Sequence, residues 1–513
     1  MLEGVLIGLA TALSLQNLAF VVMGCLVGTF IGMLPGLGPM SAIALMIPIA
    51  ASLEPSTGII LMAAVYYGAI FGGSTSSILI NAPGVASTVA TSFDGYPMAR
   101  KGMAGKALAI AAYSSFSGGV IAAIFLLLAA PALASVSLAF QSTDYFALMV
   151  LGLVAVAAFA GKGDMVKALL MTVVGLMLST VGTDQTQGVP RFTLGTLDLI
   201  DGISFLLLVM ATFALSEALM AILRPKGDAD RHKEREASRN LGSMKVSKEE
   251  VKEMAPVIGR SSVLGFLIGV LPGAGATIAS FLAYGTEQRI AGPVKGKEFG
   301  QGSVRGLAAP ETANNAAATG SFVPLLTLGI PGSGTTAIML GALVGYGIQP
   351  GPRLYLDQPD VFWSVIVSMW IGNVILLVLN LPLIPYIARV LAIPSRFLLP
   401  LILFFSLVGV YLVSFNTFDI QLMVIFAVAA IVLRILDYPM APMILGFILG
   451  GMMEENLRRA LIIHDDSWSF LYERPLTLFI LFLAALCLFA PSVFGMIGKA
   501  RRRAAARTEA TAD

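Results

Sequence analysis

The sequence predicts an all-α polytopic membrane protein, with roughly 10–14 spans in two homologous, inverted repeats that contain discontinuous or re-entrant helices. Three observations carry this. The chain is 57% apolar and only 12% charged, with a mean hydropathy of +0.87, whereas a soluble domain is about a quarter charged. Gly28–Gly38 reads GTFIGMLPGLG and Gly265–Gly275 reads GFLIGVLPGAG, identical at seven of eleven positions with an offset of 237 residues. Each copy is followed by a second Pro-Gly element, Asn81-Ala82-Pro83-Gly84 in the first half and Gly329-Ile330-Pro331-Gly332 in the second.

Proline removes a backbone donor and glycine loosens the chain, so each element should interrupt a membrane helix. In lipid, interrupted backbone is tolerated only where protein buries it or where it lines a cavity. Interruptions at matching places in two halves point to a transporter's binding site.

In chain order, residues 1–223 form the first membrane repeat. Residues 4–31 are apolar apart from Gln16-Asn17, giving one long span or a short element and a span. Ser41–Ser52 is too short to cross alone and reads as the second half of a broken helix. Gly58–Ile80 has span length and carries Gly72-Gly73-Ser74-Thr75-Ser76-Ser77, small residues that allow close helix approach or offer oxygens to a solute. Residues 92–106 read as a polar turn, and 183–201 as a polar loop before a span that ends near Leu223.

Residues 224–256 carry nine Lys or Arg and seven Asp or Glu. They read as a linker between halves, which the positive-inside rule places in the cytoplasm, together with the basic tail 499–513. The second repeat occupies 257–498. Its two Pro-Gly elements are 59 residues apart against 48 in the first half. The extra length lies in the polar stretch Tyr284–Gly306.

Composition also excludes functions. Net charge is +2, and no basic patch suggests nucleic acid. Cys25 and Cys487 sit in apolar segments with neither zinc spacing nor a disulfide framework. With only His232 and His464, no metal centre or other cofactor is expected. Glu3 precedes the first apolar run without a basic n-region, so that segment reads as retained rather than cleaved.

A single LPG would be most simply a packing kink. Duplication, with a second Pro-Gly pair, favours a site made of Pro35, Gly36, Gly38, Asn81, Pro83 and Gly84 with Pro272, Gly273, Gly275, Pro331 and Gly332. Broken helices present free N–H groups and a positive dipole end, which suit a carboxylate. Ser74, Thr75, Ser333 and Thr335, with Asn314 and Asn315, are read as further substrate contacts of that site, and unwound carbonyls and nearby hydroxyls also suit Na⁺. Ser333 also reads as a helix N-cap. Glu311, with Asn314 and Asn315, is the sharpest polar group near the apolar core. A carboxylate inside a membrane is functional by default, here as the holder of a coupling Na⁺ or H⁺. Because Pro310 precedes it, Glu311 equally reads as a first-turn charge at an interface.

Gly161-Lys162-Gly163-Asp164 matches the GxGD pattern of intramembrane aspartyl proteases. That chemistry needs a second, facing aspartate. Asp144 and Asp437 both lie near segment ends, and Asp164 reads as an N-cap. A non-transporting scaffold is the third alternative. No nucleotide-binding or hydrolase motif in a plausible context appears.

The long motifs resemble the large membrane subunit of the tripartite tricarboxylate transporter family, TctA. They are GMLPGLG, YYGAIFGGSTSSILINAPG (Tyr66–Gly84), FDGYPMARKG (Phe93–Gly102), GVLPGAGATIASFLAYGTE (Gly269–Glu287), FGQGSVRGLAAPETANNAAATG (Phe299–Gly320) and LTLGIPGSGTTAIMLGAL (Leu326–Leu343). Arg305 departs from the acidic residue often found before the glycine that here is Gly306. The resemblance implies a multi-pass protein of the bacterial inner membrane. It also implies a small four-span subunit and a periplasmic solute-binding protein as partners, and ion-driven uptake of citrate-like tricarboxylates or related carboxylates without enzymatic activity.

Overall fold

A computed structural model describes residues 2–34, 37–137, 139–159, 165–184, 187–223, 241–273, 275–389 and 395–489. Pro35, Gly36, the Gly161–Asp164 motif, residues 224–240 and the basic tail lie outside them. The described residues are helical almost throughout, with one two-residue strand pair among them, Gly182–Thr183 against Pro190–Arg191.

The first apolar stretch divides at Ser14 into α1 (Leu2–Ala12) and α2 (Leu15–Gly32), because Ser14 Oγ accepts from Asn17 N at 3.3 Å and caps α2. The break around LPG leads into α3 (Gly38–Ala51), with Pro39 in its first turn. Helix α4 (Pro55–Ile80) is buried from Ser56 to Leu79 on every side. It lacks an amphipathic stripe, as expected of a helix enclosed by others. Asn81 ends α4 in the left-handed region, at φ 52°, a conformation that asparagine tolerates.

Residues 92–106 correct the expected polar turn. They continue as α5 (Val89–Met98), a π-helical turn with its kink at Gly102, and the start of α6 (Ala104–Ser137). The polar composition is explained by Asp94, which is fully buried. Its Oδ1 accepts from the backbone N–H groups of Gly300, Gly302 and Ser303 at 2.7–2.9 Å, and its Oδ2 accepts from the Tyr284 hydroxyl at 3.0 Å. The first half thereby holds the polar insertion of the second. Helices α7 (Ser142–Phe159), α8 (Met165–Ser179) and α9 (Phe205–Leu223) complete the first half.

In the second half, Ser247 and Glu250 form a capping box on α10 (Lys248–Val270). Helix α11 (Gly275–Lys295) folds back along α10, since Arg260 and Glu287, each near the middle of its helix, pair at 2.6 Å. Then come α12 (Val304–Gly320), α13 (Phe322–Leu328), α14 (Gly334–Gly345) and α15 (Pro359–Asn380). The chain continues through α16 (Ser395–Ser414), α17 (Thr417–Ile435), α18 (Met440–Ile463) and α19 (Pro475–Phe489). Seven helical stretches among the described residues are long and apolar enough to cross a membrane, and seven shorter apolar helices accompany them.

The sequence duplication reappears in packing. A β-carbon on Gly28, Gly32 or Gly72 would strike the backbone of Val65, Ala69 or Thr29; on Gly265, Gly269 or Gly320 it would strike Ala313, Ala317 or Phe266. Gly84 is pressed on Gly32 just as Gly332 is pressed on Gly269. Helices α4 and α12 therefore occupy matching places, and both are buried along most of their length. They run antiparallel, because Ser74 bonds to Glu311 while Tyr66, nearer the start of α4, stacks near Phe322 beyond the end of α12.

The Asp94 clamp yields a stability prediction. Asp94→Ala leaves three backbone donors without their acceptor and should destabilise the fold by about 3 kcal/mol. Thermal melts of the purified variant should show a lowered midpoint, and an unchanged one would refute the clamp.

Candidate functional site

The backbone breaks assemble in pairs. In the second half, the Gly273 N–H donates to Gly332 O at 3.1 Å, joining the LPG turn to the second Pro-Gly element. Gly275, at φ +61°, opens α11 against Ser333, and Gly334, at the start of α14, lies against Met40 in the first turn of α3. The N-termini of α3, α11 and α14, drawn from both halves, therefore meet. Each contributes first-turn N–H groups and the positive end of its dipole. Gly38 and Gly275 occupy the same motif position, share positive φ, and leave space where a side chain would project.

Ser333 caps α14 through a reciprocal pair with Thr336, its N–H donating to Thr336 Oγ1 at 2.9 Å. Thr335 is buried and, with Ser333 and Ser321, faces the hydroxyl of Tyr66 from α4. Pro331 and Gly332 are buried, while Pro272 and Gly273 are half-buried. In the first half Gly84 is buried and Pro83 half-buried, but Asn81 is exposed and serves as the left-handed cap of α4.

Ser74 belongs to a second centre. Glu311 lies in the interior of α12 and is fully buried. It is not a first-turn residue, since Ser303 caps that helix by accepting from Gly306 N. Its carboxylate accepts from Ser74 Oγ at 2.8 and 2.7 Å, from Ser115 Oγ at 2.7 Å, and from Thr91 Oγ1. A buried carboxylate without partners would cost several kcal/mol, and these hydroxyls offset that cost. Asn315 Nδ2 donates to Glu311 O at 3.1 Å and to Asn314 Oδ1 at 2.8 Å. The Asn314 amide lies beside the carboxylate without a well-formed hydrogen bond from its Nδ2. Thr75 lines a small cavity next to Ser74.

Sequence reasoning missed Tyr66, Thr91 and Ser115, because one hydroxyl in an apolar run carries no signal without its neighbour. Glu217 and Arg434 were detectable as charges within apolar runs. They pair at 3.1 Å, Arg434 Nη2 also donates to Thr212 O at 2.8 Å, and Ser41 Oγ, in the first turn of α3, donates to Glu217. Arg305 pairs with buried Glu287 at 3.0 Å, beside Arg260. Buried Asp144 is committed to Arg474 and Thr477, and Asp437 is exposed just beyond the end of α17. A cleft of about 1040 Å³ between α2, α3 and α16 is lined by side chains such as Leu26, Phe30, Ile49 and Phe405 and holds no ionisable residue. Among the described residues no group of three His, Cys, Asp or Glu could hold a metal.

A protein from Agrobacterium vitis, described as an uncharacterized 52.8 kDa protein in the TAR-I ttuC' 3' region, is 42% identical over 486 residues, 94% of each chain. A second protein of that organism, described as an uncharacterized protein in the TAR-II ttuC' 3' region, is 44% identical over 223 residues, 44% of this chain and 91% of its own. No solved structure matches. The profile of the Tripartite tricarboxylate transporter TctA family matches residues 18–445. With the broken helices and the buried carboxylate between its halves, this chain belongs to that family and is a membrane subunit of a tripartite transporter.

Proposed function

We propose that this chain is the large subunit of a binding-protein-dependent secondary transporter that imports carboxylates, citrate-like tricarboxylates or related di- and monocarboxylates, using an ion gradient. The meeting of three helix N-termini from both halves carries this reading. It offers unpaired N–H groups and positive dipole ends to an anion, with Tyr66, Ser333 and Thr335 as hydroxyl contacts. Glu311 is a separate negative centre on the neighbouring helix pair, suited to a coupling cation and not to the substrate.

The antiparallel course of α4 and α12, which match in the duplication, supports an inverted arrangement of the repeats 1–223 and 257–498. The proposed partners are a small four-span membrane subunit and a periplasmic solute-binding protein. The proposed location is a bacterial inner membrane, with the 224–256 linker and the 499–513 tail in the cytoplasm.

The test is uptake into vesicles carrying the chain with its small subunit and loaded binding protein, using labelled carboxylates, imposed Na⁺ or proton gradients and no ATP. Uptake that follows one gradient is expected. No flux under either gradient would sink the transporter reading. Gly275→Leu puts a side chain at a positive-φ position in contact with Ser333 at the meeting of helix ends and should reduce uptake at least a hundredfold with normal membrane insertion. Wild-type uptake in that variant would remove the substrate site from the breaks. Glu311→Gln should lose gradient-driven accumulation by a similar factor while binding of labelled carboxylate persists; full accumulation would show that Glu311 has no coupling role.

A further inference from the structure

The small cavity beside Glu311 has a chemistry that the transport reading alone does not supply. Its volume is about 10 Å³, and its lining includes Ser74 and Thr75 from α4, Ser115 from α6 and Asn380 at the end of α15. That is room for about one water-sized particle. Asn380 is 4% exposed, and its Nδ2 donates to Leu376 O at 3.0 Å. Its Oδ1 is buried with no hydrogen-bond partner among the described residues. A buried acceptor left without a donor is costly and calls for a ligand.

The other oxygens are oriented to match. Ser74 and Ser115 each have one hydroxyl hydrogen, and both spend it on Glu311. Their lone pairs remain available on the cavity side. The cavity therefore presents acceptors and no spare donor from these two side chains, with a carboxylate one hydroxyl away. A water molecule could donate to Asn380 Oδ1 and accept from the Thr75 hydroxyl, and a proton on Glu311 would release a serine hydrogen toward the cavity. A small dehydrated cation uses every oxygen present.

We propose that this cavity is a Na⁺ site, with Asn380 Oδ1, Ser74 Oγ, Ser115 Oγ and Thr75 Oγ1 as neutral oxygen ligands and Glu311 as the counter-charge acting through the two serines. The proposal deepens the transport reading and rests on it for the role of the ion, though not for its binding. The cation joins α4 and α6 of the first half to α15 of the second, so its occupancy stabilises the arrangement in which these three helices are closed around it.

The test uses the purified full-length chain without any carboxylate. Its thermal midpoint is followed as NaCl replaces choline chloride or KCl at constant ionic strength and pH. A saturable rise with Na⁺ and none with K⁺ is expected. Asn380→Leu should weaken the apparent Na⁺ affinity at least tenfold, and Asn380→Asp, which keeps an oxygen in place, should restore saturation. Should Asn380→Leu fail to fold, Ser115→Ala reads the same loss from the other wall. An identical midpoint in Na⁺ and choline, an equal response to K⁺, or an undiminished Na⁺ response in the folded variants overturns the site. Proton-driven carboxylate uptake with no Na⁺ response would sink the site and leave the transporter standing. A Na⁺ response with no carboxylate flux would do the reverse.

Discussion

Everything in this molecule depends on one constraint, the need to satisfy backbone and charge where water is absent. An unbroken helix meets it automatically, and the described Pro-Gly elements depart from it where neighbouring backbone covers them. Gly84 is pressed onto Gly32 and Gly332 onto Gly269, and Gly273 donates directly to Gly332. Glu311 obeys the same rule for charge, held by hydroxyls that three other helices present. The fold is thus a set of helices arranged to make a few interruptions affordable.

That constraint explains why glycines sit where α2 meets α4 and where α10 meets α12. Backbone must approach backbone for the breaks to be covered, and glycine lets the helices close to that distance. The duplicated contacts show the same solution used twice. Between the two copies, the antiparallel α4 and α12 place hydroxyls of one half against the carboxylate of the other, so a buried polar cluster lies at their junction.

Much of this was legible in sequence, since it is written in local signals. The membrane class followed from apolar composition, the breaks from Pro and Gly, the duplication from identical letters, and the Ser333 cap from its hydroxyl. Glu311 was recognised as unusual but misread as a possible first-turn charge, because Pro310 suggested a helix start that Ser303 in fact supplies. The partners of Glu311 were not legible. Thr91 and Ser115 stand far from it in the chain and reach it only through packing. The polar run around Asp94 looked like a turn for a related reason: a buried carboxylate and an exposed one have the same letter, and only the Gly300–Ser303 amides distinguish them.

The Asp94 clamp has a consequence for symmetry. Two identical halves related by a two-fold axis in the membrane plane would be interchangeable, with no preferred side. Here the polar insertion that Asp94 grips exists only in the second half, and Ala342 stands at the position matching Asp94. A contact made by one half and lacking in the other removes the equivalence of the two. Divergence at one aspartate and one loop is enough to make the halves of a duplicated chain unequal.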